Sequence, residues 1–252
     1  MKKLILIVFL LTPLSGFANS GHIHLDAANI DPSNTASLQR GFKYFANYCL
    51  SCHSAAYSRY NRVGKDLGIP DNLLSEEIIF TRDADGEKTK PGYLMKAAIT
   101  KRFAGKAFGT APPDLSLVVR SRGADWLYTY LRGFYLDDSR PFGVNNTAFP
   151  DVGMPHVLWE LQGWQAKKAS HEGEEEAEHG HEGSSALELA EPGQQTPAEY
   201  DKTVRDIVNF MSYLAEPAKS KRQSIGVLVM LFLLVFLVLS YFLKKEYWKD
   251  IH

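Results

Sequence analysis

The stretch FANYCLSCHSAAY, residues 45–57, holds both cysteines of the chain, Cys49 and Cys52, and His53 directly follows the second. Three chemistries use such a trio. A disulfide between residues three apart closes too small a loop to add much stability, and it suits a thiol redox catalyst in a strand-rich, thioredoxin-like setting. Zinc asks for four ligands, and two Cys with one His supply three. The spacing C-x-x-C-H is the specific signature of covalent haem attachment. Sulfurs one helical turn apart can reach the two vinyl groups of a porphyrin as thioethers, and the residue after the second sulfur then comes under the iron. Haem is the favoured reading, with Cys49 and Cys52 as thioether sites and His53 as an axial ligand. One covalently bound haem c is expected.

Working outward, Leu38, Phe42, Phe45, Cys49 and Cys52 step by 4, 3, 4 and 3. That spacing lies on one helical face, so a helix through SLQRGFKYFANYCLSCH is expected to deliver both sulfurs to its apolar side. A second helix is expected in GADWLYTYLRGFY, started by Asp125 and buried along Leu127, Tyr130, Leu131 and Phe134. A third begins at TPAEYDKTVRDIVNFMSYLAEP, where Thr196 and Glu199 match a capping box and Pro197 takes the first turn. Its buried face is Val204, Ile207, Val208, Met211 and Leu214, and Glu216-Pro217 ends it. Between the helices run long Pro- and Gly-rich segments, FGTAPPDLS and DDSRPFGVNNTAFPDVGMPH. The fold expected is mainly α: a c-type cytochrome domain with long irregular loops, plus one C-terminal transmembrane helix.

The two ends carry different apolar runs. At the N-terminus Lys2 and Lys3 precede Leu4–Leu11, and small residues follow at Gly16, Ala18 and Ser20. That pattern reads as a secretory signal over 1–20, cleaved after 18 or 20. At the other end Ile225–Leu243 contains no charge. As a helix it would rise about 28 Å, close to the hydrocarbon thickness of a bilayer. Residues 21–222 are therefore expected in the periplasm as the haem domain, 223–244 across the bacterial inner membrane, and 245–252 in the cytoplasm. Within the domain, residues 167–195 lack aromatics and are rich in Glu and His, and they read as a flexible, solvated insertion. A net charge of −1 excludes a generic nucleic-acid binder.

An electron-transfer haem needs a sixth ligand. Met211 falls on a core stripe, and Met95, in a segment expected to be helical, also reads as core packing. Met154 lies between Gly153 and Pro155 in a stiff loop, with His156 as its rival. Met154 is favoured because thioether ligation raises the potential of a carrier. Arg120 and Arg122 are the best-placed cations for the propionates.

Taken in order, SLQRGFKYFANYCLSCHS, APPDLSLVVRSRG, DWLYTYLRGFY, NNTAFPDVGMP and the closing helix with its anchor resemble the cytochrome c1 family. Those proteins are the haem subunits of the quinol–cytochrome c reductase (cytochrome bc1) complex. The resemblance implies that Pro112 and Pro113 pack on the haem, that Arg122 pairs with a propionate, and that Trp126 and Tyr60 are aromatics of the pocket. It also implies cytochrome b and a Rieske iron–sulfur protein as partners, a cytochrome c as electron acceptor, and a dimeric complex. The loop from Phe149 to Met154 is shorter than in the mitochondrial form, and MPH replaces a doubled proline. Another membrane-tethered monohaem cytochrome, or a periplasmic metal-binding protein using the His/Glu tract, are the rival readings.

Overall fold

A computed structural model describes residues 23–83, 85–168 and 187–249. The expected signal segment, residues 169–186 of the acidic stretch and positions 250–252 lie outside the described residues. In chain order the principal elements are α1 (Thr35–Tyr44), β1 (Ala55–Arg59), α2 (Tyr60–Leu67), β2 (Leu94–Met95), α3 (Lys101–Phe108), α4 (Val118–Arg122) and α5 (Ala124–Arg132), with a short helical stretch over Asp71–Leu73 and Leu74–Ile78 before β2. There follow β3 (Phe134–Leu136), β4 (Val144–Asn146), α6 (Trp159–Gln162), β5 (Gly163–Lys167), β6 (Leu187–Pro192), α7 (Pro197–Ala215) and α8 (Lys219–Tyr247). The strands form three antiparallel pairs, β1–β2, β3–β4 and β5–β6, so the domain is mainly helical with small sheets bracing its loops.

The core is organised by α1 against α7. The α7 start is the expected capping box: Thr196 Oγ1 accepts from Glu199 N and the Glu199 carboxylate accepts from Thr196 N. Val204, Ile207 and Val208 are wholly buried behind it. Phe210 stacks on Phe42 at 4.9 Å and tilts against Phe45 at 5.6 Å. Burying each of these rings contributes about 1.5–3 kcal/mol. The helices approach so closely because Gly41 carries no side chain: a Cβ there would lie 2.7 Å from Phe210 Cβ and would overlap the Asp206 carbonyl. A polar cluster fixes the register. Buried Asp206 accepts from Ser37 Oγ at 2.6 Å and from Arg40 Nε and Nη2 at 2.6 and 2.9 Å. Asn209 Nδ2 donates to Ser37 Oγ at 3.0 Å.

Four local expectations change. The helix does not carry both sulfurs: α1 widens into a π-helical turn over Phe45–Cys49 and stops. Cys52 sits in the turn beyond, where the Cys52 and His53 amides both bond the Cys49 carbonyl at 3.1 and 2.8 Å. Asp125 does not start α5; Gly123 holds the cap position, and Asp125 Oδ1 instead accepts from Ala28 N at 2.8 Å, pinning the N-terminal segment. Met95 is not helical but pairs with Ala55 between β2 and β1, fully buried. The C-terminal part of the acidic stretch is also structured, since β6 pairs along β5.

Beyond Glu216-Pro217, α8 runs for 29 residues. Its apolar window has a mean hydropathy of 2.9 and none of it is buried against the rest of the chain. It is the one helix among the described residues long and apolar enough to cross a membrane.

Candidate functional site

The end of α1, the turn after it, α5, the β4–α6 loop and α7 enclose a cavity of about 360 Å³ with an overwhelmingly apolar lining. Cys49, Cys52 and His53 come from one side in sequence, and Met154 from a loop a hundred residues on; all four line it. Pro112, Pro113, Arg122 and Trp126 line it as well. Arg120 does not, and neither does Tyr60, which is buried elsewhere with its hydroxyl 3.3 Å from Thr81 Oγ1. Met211, expected as plain core, is buried and reaches the cavity wall too.

The imidazole of His53 is set by the proline-rich segment. Leu115 N bonds the Ser54 carbonyl at 2.8 Å, and Asp114 accepts from Ala56 N through Oδ2 and from Ser116 N through Oδ1. This ladder lays the Pro113 carbonyl 2.8 Å from His53 Nδ1. A carbonyl only accepts, so Nδ1 carries the proton and Nε2 keeps a bare lone pair. Burial holds the His53 pKa below its ordinary value, against the opposing pull of the Pro113 carbonyl and Asp114. The ring is thus neutral and tautomerically fixed, the state a metal ligand needs.

The sulfurs are equally informative. Both cysteines are free, and burial, with Cys52 nearby, pushes the Cys49 thiol up to about 12. A thiol that stays protonated at neutral pH is a poor attacking nucleophile, which argues against a thiol oxidoreductase. A thioether carries no charge and suits such a dry wall. Among the described residues no three His, Cys, Asp or Glu side chains converge to hold a metal ion, so the trio does not gather as a zinc half-site.

Met154 is positioned by residues that motif reading passed over. The α5–β3–β4 hairpin turns the chain back, pairing Phe134 with Asn146. Asn146 Nδ2 donates to the Tyr130 carbonyl at 2.8 Å, and its Oδ1 accepts from Ala148 N and Phe149 N. Asn145 Oδ1 accepts from Asp151 N at 2.8 Å, and Arg140 pairs with Asp151 at 2.9 Å. The doubled Asn before a Pro- and Gly-rich loop was the available signal, since short amides cap turns. At the end of this path the Tyr130 hydroxyl donates to Met154 Sδ at 3.3 Å. Burial raises the Tyr130 pKa, so that hydroxyl keeps its proton.

His156 is placed differently from its neighbour. It stacks on Phe134 at 4.9 Å, meets Trp164 edge-on at 5.9 Å, and does not line the cavity. Burial lowers its pKa to about 4, so it packs as a neutral aromatic.

Two neighbouring sulfurs, a lone pair on a neutral imidazole, a thioether and an apolar, aromatic-lined space fit a covalently held haem. The Cytochrome C1 family profile matches residues 28–162 and 184–251. Cytochrome c1 of Allochromatium vinosum is 52% identical over 255 residues, covering 100% of both chains. The ammonia monooxygenase gamma subunit of Nitrosomonas europaea is 45% identical over 252 residues, covering 100% of this chain and 99% of its own. The cytochrome b-c1 complex catalytic subunit of Candida albicans is 26% identical over 237 residues, covering 86% of this chain and 72% of its own. The family carries one covalently attached haem c, and on the profile match and the whole-length identity this chain belongs to the cytochrome c1 family.

Proposed function

We propose that the chain is the haem-bearing electron-transfer subunit of a cytochrome bc1 complex, taking one electron from a Rieske iron–sulfur protein and passing it to a cytochrome c. One observation carries this reading: both thiols, an imidazole with a free Nε2 and a pinned thioether share a single apolar cavity. A haem bound there supplies a one-electron ferric–ferrous couple. Cys49 and Cys52 would tether it as thioethers, and His53 and Met154 would ligate its iron. The Pro113 carbonyl orients His53, and Pro112, Pro113 and Trp126 exclude water from the ring faces. Arg122, whose guanidinium lies 5.1 Å from the Trp126 ring centroid, is the cation for a propionate. Arg120, which does not line the cavity, is not assigned that role, and Tyr60, buried away from the cavity, is assigned to the core.

The chain makes no catalytic site of its own; the reductase reaction belongs to the complex, with cytochrome b and the Rieske protein as partners, in a dimeric assembly. The haem domain stands on the periplasmic side, and α8 anchors it in the bacterial inner membrane.

Two measurements test the reading. Met154→Ala should abolish the near-infrared thioether band of the ferric protein while His156→Ala retains it; the reverse result overturns the ligand assignment. Purification from mild detergent should bring down a cytochrome b and a Rieske protein. Recovery with an ammonia monooxygenase instead, as the name of the Nitrosomonas relative raises, would overturn the bc1 assignment.

A further inference from the structure

Resting on the reading of Met154 as an axial ligand, we infer that Tyr130 is a positioning residue that tunes the haem through the sulfur, by donating its hydroxyl proton to the Sδ lone pair that the iron does not use.

The geometry is specific. Tyr130 is 9% exposed, its hydroxyl faces an apolar cavity, and its one hydrogen bond among the described residues is the 3.3 Å contact with Met154 Sδ. Without that acceptor the buried hydroxyl would be unsatisfied. The ring has little freedom to turn away. Trp126 stacks on one face with centroids 5.0 Å apart, and Phe134 meets it edge-on at 5.3 Å. The Arg122 guanidinium at the end of α4, Trp126 and Tyr130 on α5 and Phe134 at its exit contact one another in turn and form one column. The backbone of the same residue is tied by Asn146 to the strand that launches the Met154 loop. Donor and acceptor therefore belong to one rigid unit.

The chemistry follows from the two lone pairs of a thioether. One is available to the iron; the other accepts from Tyr130. A proton donor at sulfur withdraws electron density, and the ferric state, which asks more of its ligands, loses more from this than the ferrous state. Hydrogen bonding around the ligand is one of the levers a protein has on haem potential. The hydroxyl also restrains the sulfur mechanically, which slows its replacement by other ligands.

The test uses the full-length, haem-loaded chain in detergent. Tyr130→Phe removes only the hydroxyl. It should keep the near-infrared thioether band, lower the midpoint potential, and let added imidazole displace the methionine of the ferric protein about threefold more readily, as loss of one modest hydrogen bond predicts. Tyr128→Phe is the control, since Tyr128 lies on the same helix, is buried, and does not line the cavity. An unchanged potential and imidazole affinity in Tyr130→Phe, or equal shifts in Tyr128→Phe, would overturn the inference. Loss of the band in Tyr130→Phe alone would support the positioning role in a stronger form. Met154→Ala separates the two claims: if it keeps the band, the ligand assignment has failed, whereas if it loses the band and Tyr130→Phe changes nothing, only the role of Tyr130 has failed.

Discussion

Replacing Gly41 by Ala is the smallest change that tests how the helix leading into Cys49 is held. The new Cβ would lie 2.7 Å from both the Asp206 carbonyl carbon and Phe210 Cβ, and would overlap the Asp206 oxygen. Neither neighbour is the free end of a flexible side chain; both belong to the middle of α7, so α1 must move as a unit. Overpacking of this kind costs about 1–3 kcal/mol, and a rigid backbone obstacle puts it at the upper end. Alanine recovers up to about 1 kcal/mol of helix propensity. The net loss is about 2 kcal/mol, which lowers the melting temperature of a domain this size by about 4–8 °C. The assay is thermal unfolding of the detergent-solubilised chain, followed by the haem absorption band and by circular dichroism. Gly105 is the internal comparison: it sits in α3 with nothing within 4 Å of a Cβ, so Gly105→Ala should stabilise by about 0.5–1 kcal/mol. If Gly41→Ala melts at or above the parent, the tight α1–α7 contact is not what positions the cysteine helix.

Other expectations follow from single contacts. Arg122→Ala, which removes a cation over Trp126, should cost about 0.5–1 kcal/mol in a urea titration, whereas Arg120→Ala should leave the midpoint within error; equal losses would contradict the distinction. Glu199 is held below its ordinary 4.5 by the Thr196 backbone amide and hydroxyl. Its stabilisation is present above that value and lost as pH falls through the lower folded value, so Thr196→Ala should flatten the acid side of the stability–pH profile; an unchanged acid slope would contradict the cap. Cys49→Ala together with Cys52→Ala should yield a chain whose haem is fully extracted by acidified acetone, whereas the parent retains it; a resistant double variant would refute thioether attachment.

The C-x-x-C-H spacing, the capping box of α7 and the apolar run of α8 were legible because each is a local pattern with a local cause: neighbouring side chains on one turn, reciprocal bonds across three residues, nineteen uncharged positions in a row. The place of Met154 at the cavity was legible more weakly, as a methionine in a stiff loop. Spacing alone did not separate Arg120 from Arg122, and only the family resemblance pointed to Arg122, because two residues on a short helix face different ways and the packing of α4 says which one meets Trp126. Tyr60 read as a pocket aromatic, yet the β1–β2 corner turns it into the core.

What the chain order alone carried is therefore the C-x-x-C-H motif and the uncharged terminal helix, long and apolar enough to cross a membrane. What only the tertiary structure decided is the rest of the cavity: that the Pro113 carbonyl fixes the His53 tautomer, that Met154 shares its cavity while His156 does not, and that the Tyr130 hydroxyl meets the Met154 sulfur. Those contacts join residues 60, 24 and about a hundred positions apart. Such separations leave no periodic trace, because the loops that close them are held by single amide and carboxylate caps rather than by repeating backbone patterns.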